Sequence, residues 1–187
     1  MRKVLYILGE LSDTDVEWMI DAGKHSRCSE GTVLVHEGDT IEALYILLEG
    51  QLAVSAKAQS SERDLGRMGM GAMVGEVSFV DNRPTTATVK ASSDALLLSI
   101  PRAVLRRKLE SDAGFAARFY RAVAMSLAYH LRDMVALLTM SPDGNPTPEH
   151  EREEDKLGLE VLDTVYLAGQ RFDRILRRLA AEDPRDK

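Results

Sequence analysis

The fold of this chain is decided by residues 71–89, which read GAMVGEVSFVDNRPTTATV. Gly75 permits a tight backbone turn, the residues after it suit one short helical turn, and Pro84 fixes the exit before a strand. Backbone N–H groups at the start of such a turn point outward together and can hold an anion. A carboxylate beside them would repel phosphate, so we expect Glu76 to accept hydrogen bonds from sugar hydroxyls.

Short β-type runs separated by glycine turns lie on both sides of this stretch. They predict strands at 32–35, 43–48, 51–56, 65–68, 86–90 and 95–100. Short strands with turn signals between them are typical of an all-β sandwich or barrel and not of βαβ units. The polar residues 57–64 are predicted to form a hairpin tip. We therefore assign residues 25–101 to one β domain.

The segments outside the β domain carry helical patterns, with one break. Pro101 ends the last strand and opens a helical region, and an apolar stripe at spacings of three and four then runs for many turns. Three prolines and one glycine within 141–154, followed by charged residues, are typical of a linker. The assigned segments are an N-terminal helical segment at 1–24 (helix near 13–23), helices over 102–140 (one at 102–109, a long one at 112–140), a linker at 141–154 and an amphipathic helix at 155–181.

The motifs together resemble the cyclic nucleotide-binding domain family, that of CRP and the protein kinase A regulatory subunit. The central stretch is similar to its phosphate-binding cassette, with Gly75-Glu76, a few apolar residues, Pro84 and then Ala87-Thr88-Val89. Glu37-Gly38-Asp39, the strand ending at Gly50, Leu65-Gly66 and Gly71 stand where the family places such residues. The resemblance covers about residues 10–135.

This resemblance implies a mainly β fold with flanking helices. Its centre would be an eight-stranded β-roll, similar to a double-stranded jelly roll, that binds cyclic AMP or cyclic GMP. A long helix after the roll would close over the base and form a dimer seam, a role that fits residues 112–140. An extra C-terminal helix would follow.

The chain departs from the family pattern after Pro84, where the arginine that pairs with the cyclic phosphate is replaced by Thr85. A threonine hydroxyl cannot replace the charge of a guanidinium. The loss of this contact is expected to cost about 2–5 kcal/mol, roughly a 30- to 5000-fold loss of affinity. Arg83, on the other side of Pro84, is the candidate to reach the phosphate instead.

The candidate ligand-binding residues follow from the resemblance and keep their structural alternatives. Glu76 either binds a ribose hydroxyl or caps the short turn. The two threonines either donate hydroxyls to an anion or begin a strand, and the histidine either faces the base or lies in solvent or an interface. The full set is Gly75, Glu76, Val77, Ser78, Arg83, Thr85, Thr86 and His130.

Composition excludes several other classes of protein. The formal net charge of -6 argues against nucleic-acid binding, and the basic patch formed by Arg171, Arg174, Arg177 and Arg178 is interleaved with acids, as on a solvated face. No run approaches the roughly 20 apolar residues of a membrane span, and a single cysteine, Cys28, is compatible with a reducing compartment. We expect a cytoplasmic protein without a metal site. Because no nucleophile elbow, Walker loop or paired catalytic carboxylates occur, we expect no enzyme.

Two functional hypotheses remain open. The first is a stand-alone cyclic nucleotide sensor, a homodimer through 112–140, whose helices move about a hinge at 111–114 when ligand binds. The second is a degenerate β-roll that binds no cyclic nucleotide and acts as a dimeric protein-interaction module, with helix 155–181 docking in a partner's groove. That helix can equally pack on its own roll or on a sister subunit.

Overall fold

The computed structural model describes the backbone of residues 6–58, 61–139 and 159–182. Eight strands and six helices occur in these ranges. The strands are β1 (Lys24–Cys28), β2 (Val33–Val35), β3 (Ala43–Glu49), β4 (Leu52–Ala58), β5 (Ser61–Met68), β6 (Met73–Val74), β7 (Thr88–Ala91) and β8 (Ala95–Pro101). The helices are α1 (Tyr6–Glu10), α2 (Asp13–Ala22), α3 (Glu76–Asp81), α4 (Arg102–Ser111), α5 (Ala113–Thr139) and α6 (Leu159–Glu182).

The strands form two four-stranded sheets with antiparallel pairing, in the orders β1-β8-β3-β6 and β2-β7-β4-β5. The two central strands of the first sheet, β3 and β8, are buried on both faces, which explains why they read as continuous apolar runs. In β8, Leu96 and Leu98 point toward the helices, whereas Leu97 points toward the second sheet. The predicted mainly β fold with flanking helices is confirmed.

The ribbon of β4 and β5 is a hairpin at the place the sequence predicts, within residues 57–64. Its pairing extends further than expected, through Lys57 with Glu62 and Ala58 with Ser61. Backbone hydrogen bonds hold an exposed ribbon whatever the polarity of its side chains. The strand β1 was not predicted for the same reason. Its side chains are polar and mostly exposed, so they give no apolar pattern that would indicate its pairing with β8. The predicted linker 141–154 lies outside the described residues.

The helices cover the outer face of the first sheet. Phe115 and Phe119 of α5 are fully buried there, with ring centroids 5.9 Å apart. Asp112 joins α4 to α5, because its carboxylate accepts a hydrogen bond from the Phe115 N–H at 2.9 Å and pairs with Lys108 at 2.9 Å. The predicted hinge is therefore a capped junction between two helices.

The C-terminal helix α6 folds back onto its own chain. Its apolar face enters the same core as α1, α2 and α5, through Ala168, Phe172, Ile175 and Leu179. Three of its arginines pair with acids of α2: Arg171 with Asp13, Arg174 with Asp13 and Glu17, and Arg178 with Asp21.

This packing decides between the interpretations of helix 155–181. Arg174, Arg177 and Arg178 are exposed, so the basic patch is a solvated face as predicted, and three of its four arginines also form ion pairs within the chain. The apolar face formed by Ala168, Phe172, Ile175 and Leu179 packs on the helix's own chain, which is the alternative to docking in a partner's groove. Over the described residues, no helix combines the length and apolar character that crossing a bilayer requires.

Candidate functional site

The cassette helix α3 begins at a glycine that the geometry requires. Gly75 has φ +98°, a left-handed conformation that L side chains rarely adopt. A Cβ at this position would lie 2.4 Å from Cδ1 of Ile41. The Gly75 carbonyl accepts the Phe79 N–H at 2.9 Å, which closes the first turn of the helix. The glycine therefore sets both the turn and the close approach of α3 to the roll.

Glu76 is a carboxylate buried in the roll, with 4% of its surface exposed. Burial raises the pKa of Glu76 from 4.5 to about 7, although hydrogen bonds from the backbone N–H groups of Glu76 and Gly75 act in the opposite direction. An ionisable side chain that is buried away from water lowers the stability of the folded protein when it is charged. Such groups cluster at functional sites.

His130 of α5 lies over this carboxylate. Its Nδ1 is 3.5 Å from Oε1 of Glu76, and its side chain is 45% exposed. The imidazole thus has one side toward Glu76 and one toward solvent. The contact links α5 directly to α3, and the role of His130 toward the base stays a prediction.

Thr85 holds the exit of the cassette to the turn between β2 and β3. Its hydroxyl donates to the His36 carbonyl at 2.6 Å and lies 3.2 Å from the Asp39 carbonyl. The Thr85 N–H also donates to Asp39, and its carbonyl accepts from Gly38. The hydroxyl proton is used in this contact, so in this arrangement Thr85 cannot donate to an anion. A role for Thr85 or Thr86 in binding an anion stays a prediction.

The other sequence candidates are divided between the core and the surface. Ser78 is buried, whereas Val77, Arg83 and Thr86 are exposed. The contact described for Arg83 is made by its backbone N–H, which donates to the Asp81 carboxylate at 3.0 Å. The structure brings Gly75, Glu76 and His130 together, and it does not bring the Arg83 side chain into contact with them among the described residues.

One part of the cassette was missed by the sequence analysis. Asn82 ends α3 in a left-handed conformation with φ +60°, and its Oδ1 accepts hydrogen bonds from Arg102 and Arg106 of α4. Arg102 also lies over the Phe79 ring, 5.5 Å from its centroid. The available signals were an asparagine after a helical run, a common helix end, and two arginines four residues apart.

Among the residues that the structure describes, no group of three or more His, Cys, Asp or Glu side chains could hold a metal ion. The thiol of Cys28 is half-buried, and its pKa is raised by that burial and by the charge of Asp94. A thiol with a raised pKa is a poor nucleophile at neutral pH. The chemistry of the site is therefore that of a buried carboxylate facing an imidazole.

Comparison with known proteins gives a consistent result. The family model described as cyclic nucleotide-binding domain matches residues 26–112. The regulatory domain of Toxoplasma gondii PKA, solved with cAMP, is 29% identical, with a TM-score of 0.51 over 56% of this chain and 42% of that one. A cyclic nucleotide-binding domain from Methylobacillus flagellatus has the same fold, with a TM-score of 0.65, 20% identity and coverage of 74% and 84%.

A curated relative shares only a small part of its length with this chain. Lysophospholipase nte1 of Aspergillus oryzae is 27% identical over 147 residues, which are 78% of this chain and 8% of that protein. The chain thus spans about a twelfth of that relative. The resemblance found in the sequence is confirmed over the β-roll.

Proposed function

We propose that residues 26–112, which match the cyclic nucleotide-binding domain family, make this protein a non-catalytic sensor that binds a cyclic nucleotide and signals through its helices. The observation that carries the proposal is Glu76. A carboxylate buried at the start of α3, with its pKa raised to about 7, is destabilised in its charged form in the free protein. It is suited to accept hydrogen bonds from the hydroxyls of a bound sugar.

The ligand proposed is cyclic AMP or cyclic GMP, as the family and the cAMP-bound Toxoplasma gondii relative suggest. In this chain we expect only a weak contact with the cyclic phosphate, because the Thr85 hydroxyl donates its proton to the His36 carbonyl. Recognition then depends on the sugar contact with Glu76. We expect affinity below that of a Thr85→Arg variant, in which a guanidinium can pair with the phosphate.

Signalling would begin at the contact between Glu76 and His130. A sugar hydroxyl at Glu76 competes with His130 for the same carboxylate. Ligand binding would therefore shift the equilibrium between two positions of α5. From α5 the change reaches α2 through Arg118, whose Nε lies 2.6 Å from the buried carboxylate of Asp15. It reaches α6 through Asp13 of α2, which pairs with Arg171 at 2.8 Å.

The same proposal includes a homodimer joined through α5. Tyr120, Leu131 and Val135 are 48%, 63% and 47% exposed and are spaced to lie on one side of the helix. Large apolar side chains in such a stripe are a candidate for contact with a second copy. A cytoplasmic location agrees with the free thiol of Cys28.

Calorimetric titration tests the proposal. The ligands are cyclic AMP and cyclic GMP, with the corresponding linear monophosphates as controls. We expect cyclic nucleotide binding that Glu76→Ala abolishes, that Thr85→Arg tightens by about 30-fold or more, and that Val80→Ala, an exposed residue of α3 outside the candidate set, leaves unchanged. Absence of heat and of a thermal shift up to millimolar ligand, in the wild type and in Thr85→Arg, would refute it.

A further inference from the structure

Two arginines of α4 converge on one uncharged oxygen. Nη2 of Arg102 lies 2.7 Å from Oδ1 of Asn82, and Nη2 of Arg106 lies 3.0 Å from the same atom. The two arginines are four residues apart and so share one face of the helix. Two guanidinium groups bonded to a single oxygen are held near each other, and like charges at this separation repel.

This arrangement differs from that of the other paired arginines. Across the described part of the chain, seven arginines form ion pairs with carboxylates, namely Arg27, Arg67, Arg118, Arg121, Arg171, Arg174 and Arg178. Within the same described ranges, Arg102 and Arg106 form no ion pair with a carboxylate. The chain is acidic overall, with a net charge of -6, so this local excess of positive charge is not a consequence of composition.

The pair is held in place before any ligand binds. Arg102 lies over the Phe79 ring at 5.5 Å, a contact that fixes the plane of its guanidinium. Asn82 is fixed by its backbone N–H, which donates to the Ser78 carbonyl at 3.1 Å. Preorganised donors lose little conformational entropy when a ligand binds.

The start of α4 adds to the positive potential. Its N-cap residue is Pro101, which makes no side-chain hydrogen bond to the helix, and its first turn contains no acid. The first N–H groups of a helix carry partial positive charge that favours an anion. The N–H of Arg102, the first residue of this helix, already donates to the Glu42 carbonyl at 2.9 Å, so the hydrogen-bond donors at this place come from the guanidinium pair.

We propose that Arg102, Arg106 and Asn82 form a binding site for the phosphate group of a small anionic molecule. Nη1 of Arg102 lies 3.5 Å from the Ile41 carbonyl; the guanidinium N–H groups that contact neither this carbonyl nor Asn82 would bind the phosphate oxygens, and the charge of the anion would relieve the repulsion within the pair. The site lies at the opposite end of α3 from Glu76, about 9 Å along the helix. It is distinct from the sugar contact proposed for the cassette.

The test is a titration with inorganic pyrophosphate in which thermal unfolding of the full chain is the readout. Ionic strength is held constant, and sodium chloride is the control salt. We expect saturable stabilisation that Arg106→Gln weakens by about 10-fold or more in apparent affinity. Arg107→Gln removes a neighbouring exposed arginine of α4 and is expected to leave the response unchanged. An equal response in wild type and Arg106→Gln, or the same stabilisation by chloride, would overturn the proposal.

A second variant supplies an internal anion at the same point. Asn82→Asp is almost isosteric and places a carboxylate between the two guanidinium groups. We expect this variant to be folded, to have a higher Tm without ligand, and to lose the response to pyrophosphate. A pyrophosphate response equal to that of the wild type would contradict the site.

Discussion

The stability of the protein is expected to depend on pH through one buried group, Glu76. Its pKa is raised from 4.5 to about 7 in the folded state because burial disfavours the charged form. The folded protein thus holds the Glu76 proton more tightly than the unfolded chain does. The contribution to stability is fully present below pH 4.5, declines as the pH rises through the interval to about 7, and is absent above it.

The magnitude follows from the size of the shift. At about 1.4 kcal/mol for each pKa unit, the interval corresponds to about 3 kcal/mol of unfolding free energy. Glu76→Gln removes the charge, keeps the shape and retains an oxygen that can accept from the N–H groups of Gly75 and residue 76. The variant should match the wild type near pH 4.5 and exceed its stability by up to about 3 kcal/mol at pH 8.

Urea unfolding of both proteins at several pH values between 4.5 and 8 measures this difference. The difference between the two curves isolates Glu76, because other titrating groups contribute equally to each. Asp81→Asn, which removes an exposed carboxylate from the same helix, controls for the loss of charge alone. Parallel pH profiles for wild type and Glu76→Gln would refute the assignment of Glu76 as a buried carboxylate.

Three further substitutions test the packing around the site and the C-terminal helix, each by urea unfolding. Gly75→Ala should lose about 2–4 kcal/mol, since it forces a side chain into φ +98° and against Ile41; wild-type stability would contradict the turn. Thr85→Val should lose about 1 kcal/mol because the partly buried His36 carbonyl loses its hydroxyl donor, and an unchanged midpoint would mean that the threonine does not hold the cassette. Phe172→Ala should lose about 3–5 kcal/mol, whereas Tyr166→Ala on the exposed side of α6 should stay within about 0.5 kcal/mol; equal effects would contradict the docking of α6.

The β-roll could be predicted because its determinants are local. Gly75 marks a turn by its residue type, and Pro84 marks the start of the segment that leads to β7. The apolar runs of β3 and β8 mark strands buried on both faces. Each of these signals lies within a few residues of the element that it predicts, so no knowledge of distant contacts is needed.

The contacts that define the site are long-range and could not be derived in this way. The Thr85 hydroxyl donates to the His36 carbonyl across 49 positions of sequence. The local sequence is the same whether a threonine begins a strand or donates to a distant carbonyl, so it does not reveal this contact. His130 meets Glu76 only because α5 crosses the roll. An amphipathic stripe indicates that α6 buries one face but not against which surface, and the ion pair of Arg171 with Asp13 spans 158 positions.

The ion pairs between helices make α2 the element shared by α5 and α6. Burial acts to raise the pKa of the Asp15 carboxyl, but hydrogen bonds from Arg118 and Ser12 together outweigh it, so the pKa is lowered. Its contribution to stability is therefore present above its unfolded pKa and is lost as the pH falls below it. Around neutral pH this contact holds α5 and α2 together, which is the condition for a movement of α5 to reach α6.

Hydrogen exchange of the full chain, with and without saturating cyclic AMP, tests most directly whether ligand at the cassette moves the helices. The account predicts altered exchange in α5 around His130 and in α6, together with protection of α3, and it predicts that Glu76→Ala removes all three changes. Binding of cyclic AMP by calorimetry with unchanged exchange in α5 and α6 would contradict a sensor that signals through these helices.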